Sequence, residues 1–327
     1  TLGLPSRILR KLATYDTTRQ ITYLHDVLYD RWAVHNLDQC DIFHGWGNFS
    51  LRTLHRATAL GATTIVERAS SHPLYQAKLL REEYARWGLR FRTPAAAVKR
   101  AVEELKQADY VLIPSDFVRE SFLAQGFPSE KLIQIPFGVD TKRFHPPDKR
   151  TEHPFRLMFV GQVNIRKGIH YLLDAWKQLD WEDAELWIVG RVDGDVEPLI
   201  RPYRALRNTR WVGFISDPVS MFQKSDIFVF PTVEEGSALV TYEALACGLP
   251  VVTTQNAGAV VRHGEDGFIV PIRDSDALAT RLDELRGNDQ LRTKMGAMAR
   301  RRAELYTWER YQDTLTGSFT EVHKRDK

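Results

Sequence analysis

Two kinds of hydrophobic run alternate along most of the chain. Short apolar runs bounded by turn residues suit strands buried on both faces of a parallel sheet. Longer stretches with apolar positions every three or four residues suit the helices that cover such a sheet. From Asp41 the series reads strand 41–46 (DIFHGW), helix 50–60 with Gly61 as its stop, strand 63–69, helices 73–87 and 95–107, strand 110–114, helix 116–125 and strand 131–136. A second series opens with strand 155–160 (FRLMFV), the loop GQVNIRKG and helix 169–179. It continues with strand 184–190, a helical stretch over 196–206, strand 209–214, helix 218–225, strand 226–230, helix 238–247 and the strand VVTT. The end of the chain is helical over 275–285, 288–305 and 307–324. Before all this, Ile8, Leu9 and Leu12, then Ile21, Leu24, Leu28 and Trp32, carry helical spacing and predict one or two amphipathic helices. Strand and helix alternation of this kind predicts an α/β fold with parallel sheets.

Pro136, Gly138, Pro146, Pro147 and the charged stretch DKRTEHP mark a boundary near residue 150. A length of 327 residues agrees with two domains, 1–150 and 151 onward. Cys40 and Cys247 lie far apart with no Cys/His cluster nearby, so neither a disulfide framework nor a structural zinc site is supported. No apolar run reaches the roughly 18 residues of a membrane span, and the opening TLGLPSRILRKLA is too polar for a signal peptide. A reducing, cytoplasmic setting is expected, with the chain soluble or peripheral at the inner face of a membrane. Residues 1–150 hold 22 Lys and Arg against 16 Asp and Glu, a balance of +6, and the remainder holds 23 against 26, a balance of −3. The basic half admits contact with an anionic membrane surface or acceptor, although a scattered excess of this size also describes ordinary solvated surface. No dense basic cluster interleaved with aromatics supports a nucleic-acid partner. A G-x-G-x-x-G fingerprint, a G-x4-G-K-[ST] loop and a Ser/His/Asp elbow are all missing from the sequence.

Chemistry concentrates in Pro231–Pro250, PTVEEGSALVTYEALACGLP. An apolar strand closes at Pro231, Ser237 is placed to cap the following helix, and Gly248 and Pro250 end it. Glu235 and Glu243, eight residues apart, stand a little over two helical turns from each other and can face one cleft. The unpaired N–H groups of the first turn, at Gly236, Ser237, Ala238, Leu239 and Val240, suit an anion such as a diphosphate, and the flanking carboxylates suit sugar and ribose hydroxyls. Spacing alone leaves open a plainer reading: Glu235 favours a helix start and Glu243 is a solvated helix residue. The strand–glycine-loop–helix grammar at Gly161 puts Arg166 and Lys167 at a second helix start, where they can neutralise a diphosphate or serve as surface charges. His44, Trp46, Glu67 and His72 follow the carboxyl ends of predicted strands, where ligands of open α/β sheets gather.

The run E-G-S-A-L-V-T-Y-E followed by A-L-A-C-G-L-P-V-V resembles the E-x7-E signature of the family 4 retaining glycosyltransferases. The resemblance covers most of the C-terminal half and, more weakly, the N-terminal half, where ADYVLIPSDFVRESF and IPFGVDTKRFHP carry it. It implies a GT-B architecture of two Rossmann-like domains facing a cleft. It also implies a last helix, beginning at Tyr306-Thr307-Trp308, that packs back on the N-terminal domain. Against the family pattern the N-terminal domain lacks its first strand and glycine loop. The activity implied is transfer of a sugar from a nucleoside diphosphate sugar to a hydroxyl acceptor, such as a glycan, a lipid-linked sugar or a small molecule, with retention and without a cofactor or metal. In that frame Arg166, Lys167 and Glu235 are catalytic. Gly161, Gln162, Gly190, Phe214, Ile215, Gly236 to Val240 and Glu243 bind the donor, and His44, Trp46, Glu67 and His72 lie on the acceptor side. Two positions depart from the family: Gln162 stands where arginine is usual, and Trp46 stands where the second histidine of an H-x-H pattern is usual, with His72 as a candidate substitute. The abbreviated N-terminus and the Trp46 departure keep a non-catalytic sugar-nucleotide-binding scaffold in view, and another GT-B enzyme such as an epimerase or phosphorylase is the rival among enzymes.

Overall fold

A computed structural model describes residues 15–149 and 152–325, and within it the chain divides into two compact units. The first holds the described residues up to Ile113, Arg119–Gln134 and those from Thr316 on; the second holds Pro114–Val118 and Ile135–Leu315. The chain thus passes into the second unit at Ile135, ahead of the proline-rich and charged stretch around residue 150, and returns to the first at Thr316.

The first unit contains helix Tyr15–His35, β1 (Ile42–Trp46), helix Leu51–Ala59, β2 (Thr63–Glu67), helices Pro73–Arg86 and Ala95–Gln107, β3 (Tyr110–Ile113) and β4 (Leu132–Gln134). The four strands pair in parallel in the order β1-β2-β3-β4. All five residues of β2 are buried, as a central parallel strand requires.

Helix Tyr15–His35 forms where the spacing predicts an amphipathic helix, with its faces the reverse of the usual apolar-in arrangement. Ile21, Leu24, Leu28 and Trp32 are 44 to 61% exposed, whereas Asp26 and Asp30 are buried. Capping accounts for the reversal. The Asp30 carboxylate accepts the amides of Arg52 (2.7 Å) and Thr53 (2.9 Å) and the Thr53 hydroxyl (2.6 Å), and it pairs with Arg100. Ser50, the N-cap of helix Leu51–Ala59, makes no side-chain capping bond, so a carboxylate from another helix satisfies those orphan donors. The expected helical spacing at Ile8, Leu9 and Leu12 lies outside the described residues.

The second unit is a six-stranded parallel sheet of β5 (Phe155–Val160), β6 (Ala184–Val189), β7 (Thr209–Gly213), β8 (Ile227–Phe230), β9 (Val251–Thr254) and β10 (Gly267–Val270), in the order β10-β9-β8-β5-β6-β7. From β5 the chain steps outward through β6 to β7, then returns to lay β8 on the other side of β5. The reversal creates a switch point between β5 and β8, and the crevice beyond the carboxyl ends of those two strands is where such sheets bind ligands. Phe159 of β5 and Phe230 of β8 stack there at 5.6 Å. The helices that flank the sheet here are Ile169–Leu179, Leu239–Ala246, Ser275–Gly287 and Asp289–Ala303. The helix expected over 196–206 is broken into Glu197–Ile200 and a 3-10 turn at Arg201–Tyr203, since Pro198 and Pro202 remove two donors. The last helix, Trp308–Arg325, ends among residues of the first unit, where Phe319 meets the His44 ring edge-on at 5.2 Å.

Candidate active site on the second unit

Two loops, 161–168 after β5 and 231–238 after β8, are stitched together through one carbonyl. Arg166 O accepts the Val233 amide (2.9 Å) and the Thr232 hydroxyl (3.0 Å). The loop after β6 is equally close. Gly190 holds φ +152°, and a Cβ there would lie 1.7 Å from Gly161 O, so no larger residue lets the two turns approach. Asn164 braces the helix start: its Oδ1 accepts the Lys167 amide at 3.0 Å and its Nδ2 donates to Asp193 at 3.0 Å.

This stitching brings Arg166, Lys167 and Glu235 together, as expected, and adds Glu234. Arg166 lies 3.2 Å from Glu234 and 3.4 Å from Glu235, and Lys167 Nζ forms an ion pair with Glu235. Glu234 is fully buried. Lys167 is partly buried, its side chain 12% exposed, and its ammonium stands 5.1 Å from the centre of the Phe230 ring. Burial first, and Arg166 second, push its pKa well below the usual lysine range, against the pull of Glu234.

The segment 236–240 behaves differently from its sequence reading. The helix starts at Leu239 with Ala238 as its N-cap, and Ser237 caps nothing. Its hydroxyl donates to Gly258 O (3.1 Å) and pairs with the Tyr242 hydroxyl (2.8 Å). Gly258, at φ +59°, makes this possible, because any side chain there would collide with Gly236 O. The Ser115 hydroxyl donates to the same Gly236 oxygen at 2.6 Å. The Ala238 amide is taken by Ala257 O at 3.0 Å, so the first-turn donors left to a ligand are those of Leu239 and Val240, beside Gly236 and Ser237.

Glu243 occupies a different electrostatic setting from Glu235. Burial pushes its carboxyl up to about 7, with Asp217 adding to the shift and Arg143 opposing it. Of the remaining donor-side candidates, Gln162 is bonded to Asp193. Phe214, after β7, is exposed with the Arg191 guanidinium 5.8 Å over its ring, and Ile215 is half-buried.

On the first unit, His44, in the middle of β1 rather than at its end, and Glu67, the last residue of β2, come together, with Nε2 3.2 Å from the buried carboxylate but out of alignment for a hydrogen bond. Exposed Trp46 shares a cavity of about 370 Å³ with His44, His25, Tyr29 and Phe49. His72 does not join them. Its Nδ1 accepts the Leu74 amide at 3.3 Å as the N-cap of helix Pro73–Arg86, its ring meets Phe122 edge-on at 5.0 Å, and burial lowers its pKa to about 4. The capping and packing role is the one its geometry displays.

Sequence reasoning missed Glu234, Asn164, Asp193 and Ser115. Glu234 had a signal, two adjacent carboxylates after a strand-ending Pro-Thr-Val, but the spacing to Glu243 drew attention to Glu235 alone. The others act through backbone contacts that no local motif announces. Among the described residues, no group of three or more His, Cys, Asp or Glu is placed to hold a metal ion.

Known proteins match this arrangement in sequence and in fold. The family model described as Glycosyl transferases group 1 matches residues 154–288, and that described as Glycosyltransferase Family 4 matches residues 9–143. A capsular polysaccharide biosynthesis glycosyltransferase, CapM of Staphylococcus aureus, is 31% identical over 203 residues, 59% of this chain and 53% of its own. A D-inositol 3-phosphate glycosyltransferase of Corynebacterium jeikeium is 30% identical over 214 residues, 58% of this chain and 51% of its own. The chain spans about half the length of these relatives. Among solved structures, sucrose-phosphate synthase from Thermosynechococcus elongatus superposes with a TM-score of 0.74 at 21% identity, covering 90% of this chain and 77% of that one. Anabaena HepE in complex with UDP-glucose gives a TM-score of 0.72 at 17% identity, covering 89% and 81%. The structural likeness establishes the GT-B fold class, and the two sequence matches, which between them take in most of the chain, place this protein among the family 4, group 1 glycosyltransferases.

Proposed function

We propose that the protein transfers a sugar from a nucleoside diphosphate sugar to a hydroxyl acceptor with retention of anomeric configuration. The observation that carries this reading is the joining of the Arg166–Lys167 turn to the Glu234–Val240 segment at the switch point of the sheet. When the anomeric bond breaks, negative charge collects on the departing diphosphate. Two cations and the free amides of a helix start stabilise that charge more in the transition state than in the bound donor. An arriving diphosphate also favours the charged form of Lys167, which burial disfavours, so donor binding and lysine protonation support each other.

In this reading Glu235 accepts hydroxyls of the donor sugar and Glu243 those of the ribose, while Phe214 offers its open face to the base. On the first unit the acceptor-side candidates are His44 and Trp46 of β1 and Glu67 of β2. Retention follows the family pattern, with the acceptor attacking from the face the diphosphate leaves and a donor phosphate oxygen assisting its deprotonation. HepE is known with UDP-glucose bound, which makes a uridine donor the first to try. Neutralisation by Arg166 and Lys167 needs no metal ion. Peripheral contact with an anionic membrane surface belongs to the same proposal, through the exposed stripe of helix Tyr15–His35.

The test is release of nucleoside diphosphate that depends on an added hydroxyl acceptor. Lys167→Ala is expected to lower kcat by two orders of magnitude or more, in line with the loss of one preorganised charge stabiliser, and turnover should survive EDTA. Release that proceeds without acceptor, or a Lys167→Ala variant as active as the wild type, would overturn the reading.

A further inference from the structure

The two cations of the candidate donor site have carboxylate partners of their own. Lys167 is paired with Glu235, and Arg166 is shared between Glu234 and Glu235, so two carboxylates balance two cations where a diphosphate would sit. The two acids differ in freedom. Glu234 is fully buried, and its backbone is tied down, with its amide directed at Arg166 O (3.4 Å) and its carbonyl accepting the Thr232 hydroxyl (3.1 Å). Glu235 is only partly buried and precedes Gly236; its amide donates to Asn256 O (3.0 Å), so its freedom lies in the side chain, whose Oε2 meets Lys167. Glu234 can only hold Arg166 in place, whereas Glu235 can be moved aside.

We propose that Glu235 is a displaceable counter-ion that sets the preference of the site for a nucleoside diphosphate sugar over the bare nucleoside diphosphate. The inference rests on the donor-site reading above. Either ligand must put phosphate oxygens where the Glu235 carboxylate now meets Lys167. A displaced carboxylate at the edge of a buried site loses its charge-assisted contact and needs replacement donors. Sugar hydroxyls supply them, and a bare diphosphate does not. The bare diphosphate also carries an additional negative charge, which the displaced carboxylate repels at short range. After transfer, with the sugar gone, the balance reverses: Glu235 returns to Lys167 and the diphosphate leaves. Substrate capture and product release are thereby governed by one side chain.

Titration calorimetry with UDP, GDP and ADP and with their glucose conjugates tests this on the wild type, Glu235→Gln, Glu235→Asp and Glu234→Gln. Glu235→Gln should tighten the bare diphosphate about tenfold, the effect of about 1.4 kcal/mol, and leave the sugar conjugate unchanged or weaker. Glu235→Asp, too short to reach Lys167, should move the ratio of the two Kd values the same way. Glu234→Gln should weaken both ligands together, because Arg166 loses its anchor. Equal changes for both ligands in the Glu235 variants overturn the counter-ion role while leaving the donor site standing. Failure of every nucleotide to bind the wild type overturns the donor site and this inference with it.

Discussion

At the scale of single residues Glu243 stands out, because the carboxyl proposed to bind the ribose is also one whose charge the fold disfavours. Its pKa rises from 4.5 to about 7 through burial, so the folded state binds this proton more tightly than the unfolded chain does. The fold therefore has its full stability below the unfolded value and loses some of it as pH climbs from about 4.5 through about 7, by up to roughly 3 kcal/mol. Glu243→Gln removes the titration. Its melting temperature should exceed that of the wild type at pH 8 and match it at pH 5, while nucleotide affinity falls at both. A variant less stable than the wild type at pH 8 would contradict the burial argument. Residue identities near this site were legible where chemistry and spacing coincided, as at Arg166, Lys167 and Glu235. Ser237 was misread because capping rules see only the residues that follow it, and the carbonyl that claims its hydroxyl belongs to Gly258, 21 residues on. His72 shows the converse, an isolated histidine whose capping bond lies within its own helix start and could be weighed in advance.

At the scale of elements, nearly every strand and helix was readable, since runs buried on both faces and three-to-four-residue periodicity are strong local signals. What periodicity cannot supply is order across the sheet. The placement of β8 beside β5, which creates the candidate crevice, follows from the return of the chain after β7 and leaves no mark on either strand's composition. Helix Tyr15–His35 shows the limit of the periodic signal itself. Its apolar stripe was legible, but which face turns inward is decided elsewhere in the chain, by the capping of Leu51–Ala59 by Asp30 and the pairing of Asp30 with Arg100. The exposed stripe of Ile21, Leu24, Leu28 and Trp32, next to exposed Arg31 and His35, has the composition of an interfacial helix. The protein should sediment with vesicles of mixed phosphatidylcholine and phosphatidylglycerol, less with phosphatidylcholine alone, and release in high salt. Leu24→Glu with Leu28→Glu should abolish sedimentation without lowering the melting temperature. Absence of wild-type sedimentation, or a marked loss of stability in the double variant, would show that this face meets protein instead.

For the whole molecule, the division of labour follows from which unit carries cations at strand ends. The first unit offers a histidine–carboxylate pair and aromatic surface, and the second offers Arg166, Lys167 and a helix start. No helix among the described residues is long and apolar enough to cross a membrane. The central claim is that the donor nucleotide is held on the second unit by the turn at Lys167 and the helix bearing Glu243. A thermal-shift series with UDP, GDP, ADP and their glucose conjugates, on the wild type, Lys167→Ala and Glu243→Ala, addresses it most directly, since a ligand that binds only the native state raises stability as RT ln(1 + [L]/Kd). The account expects one base to stabilise the wild type by a few degrees and both variants to lose the effect. A panel that leaves the wild type unmoved at millimolar concentration, or a shift that persists in both variants, would contradict it.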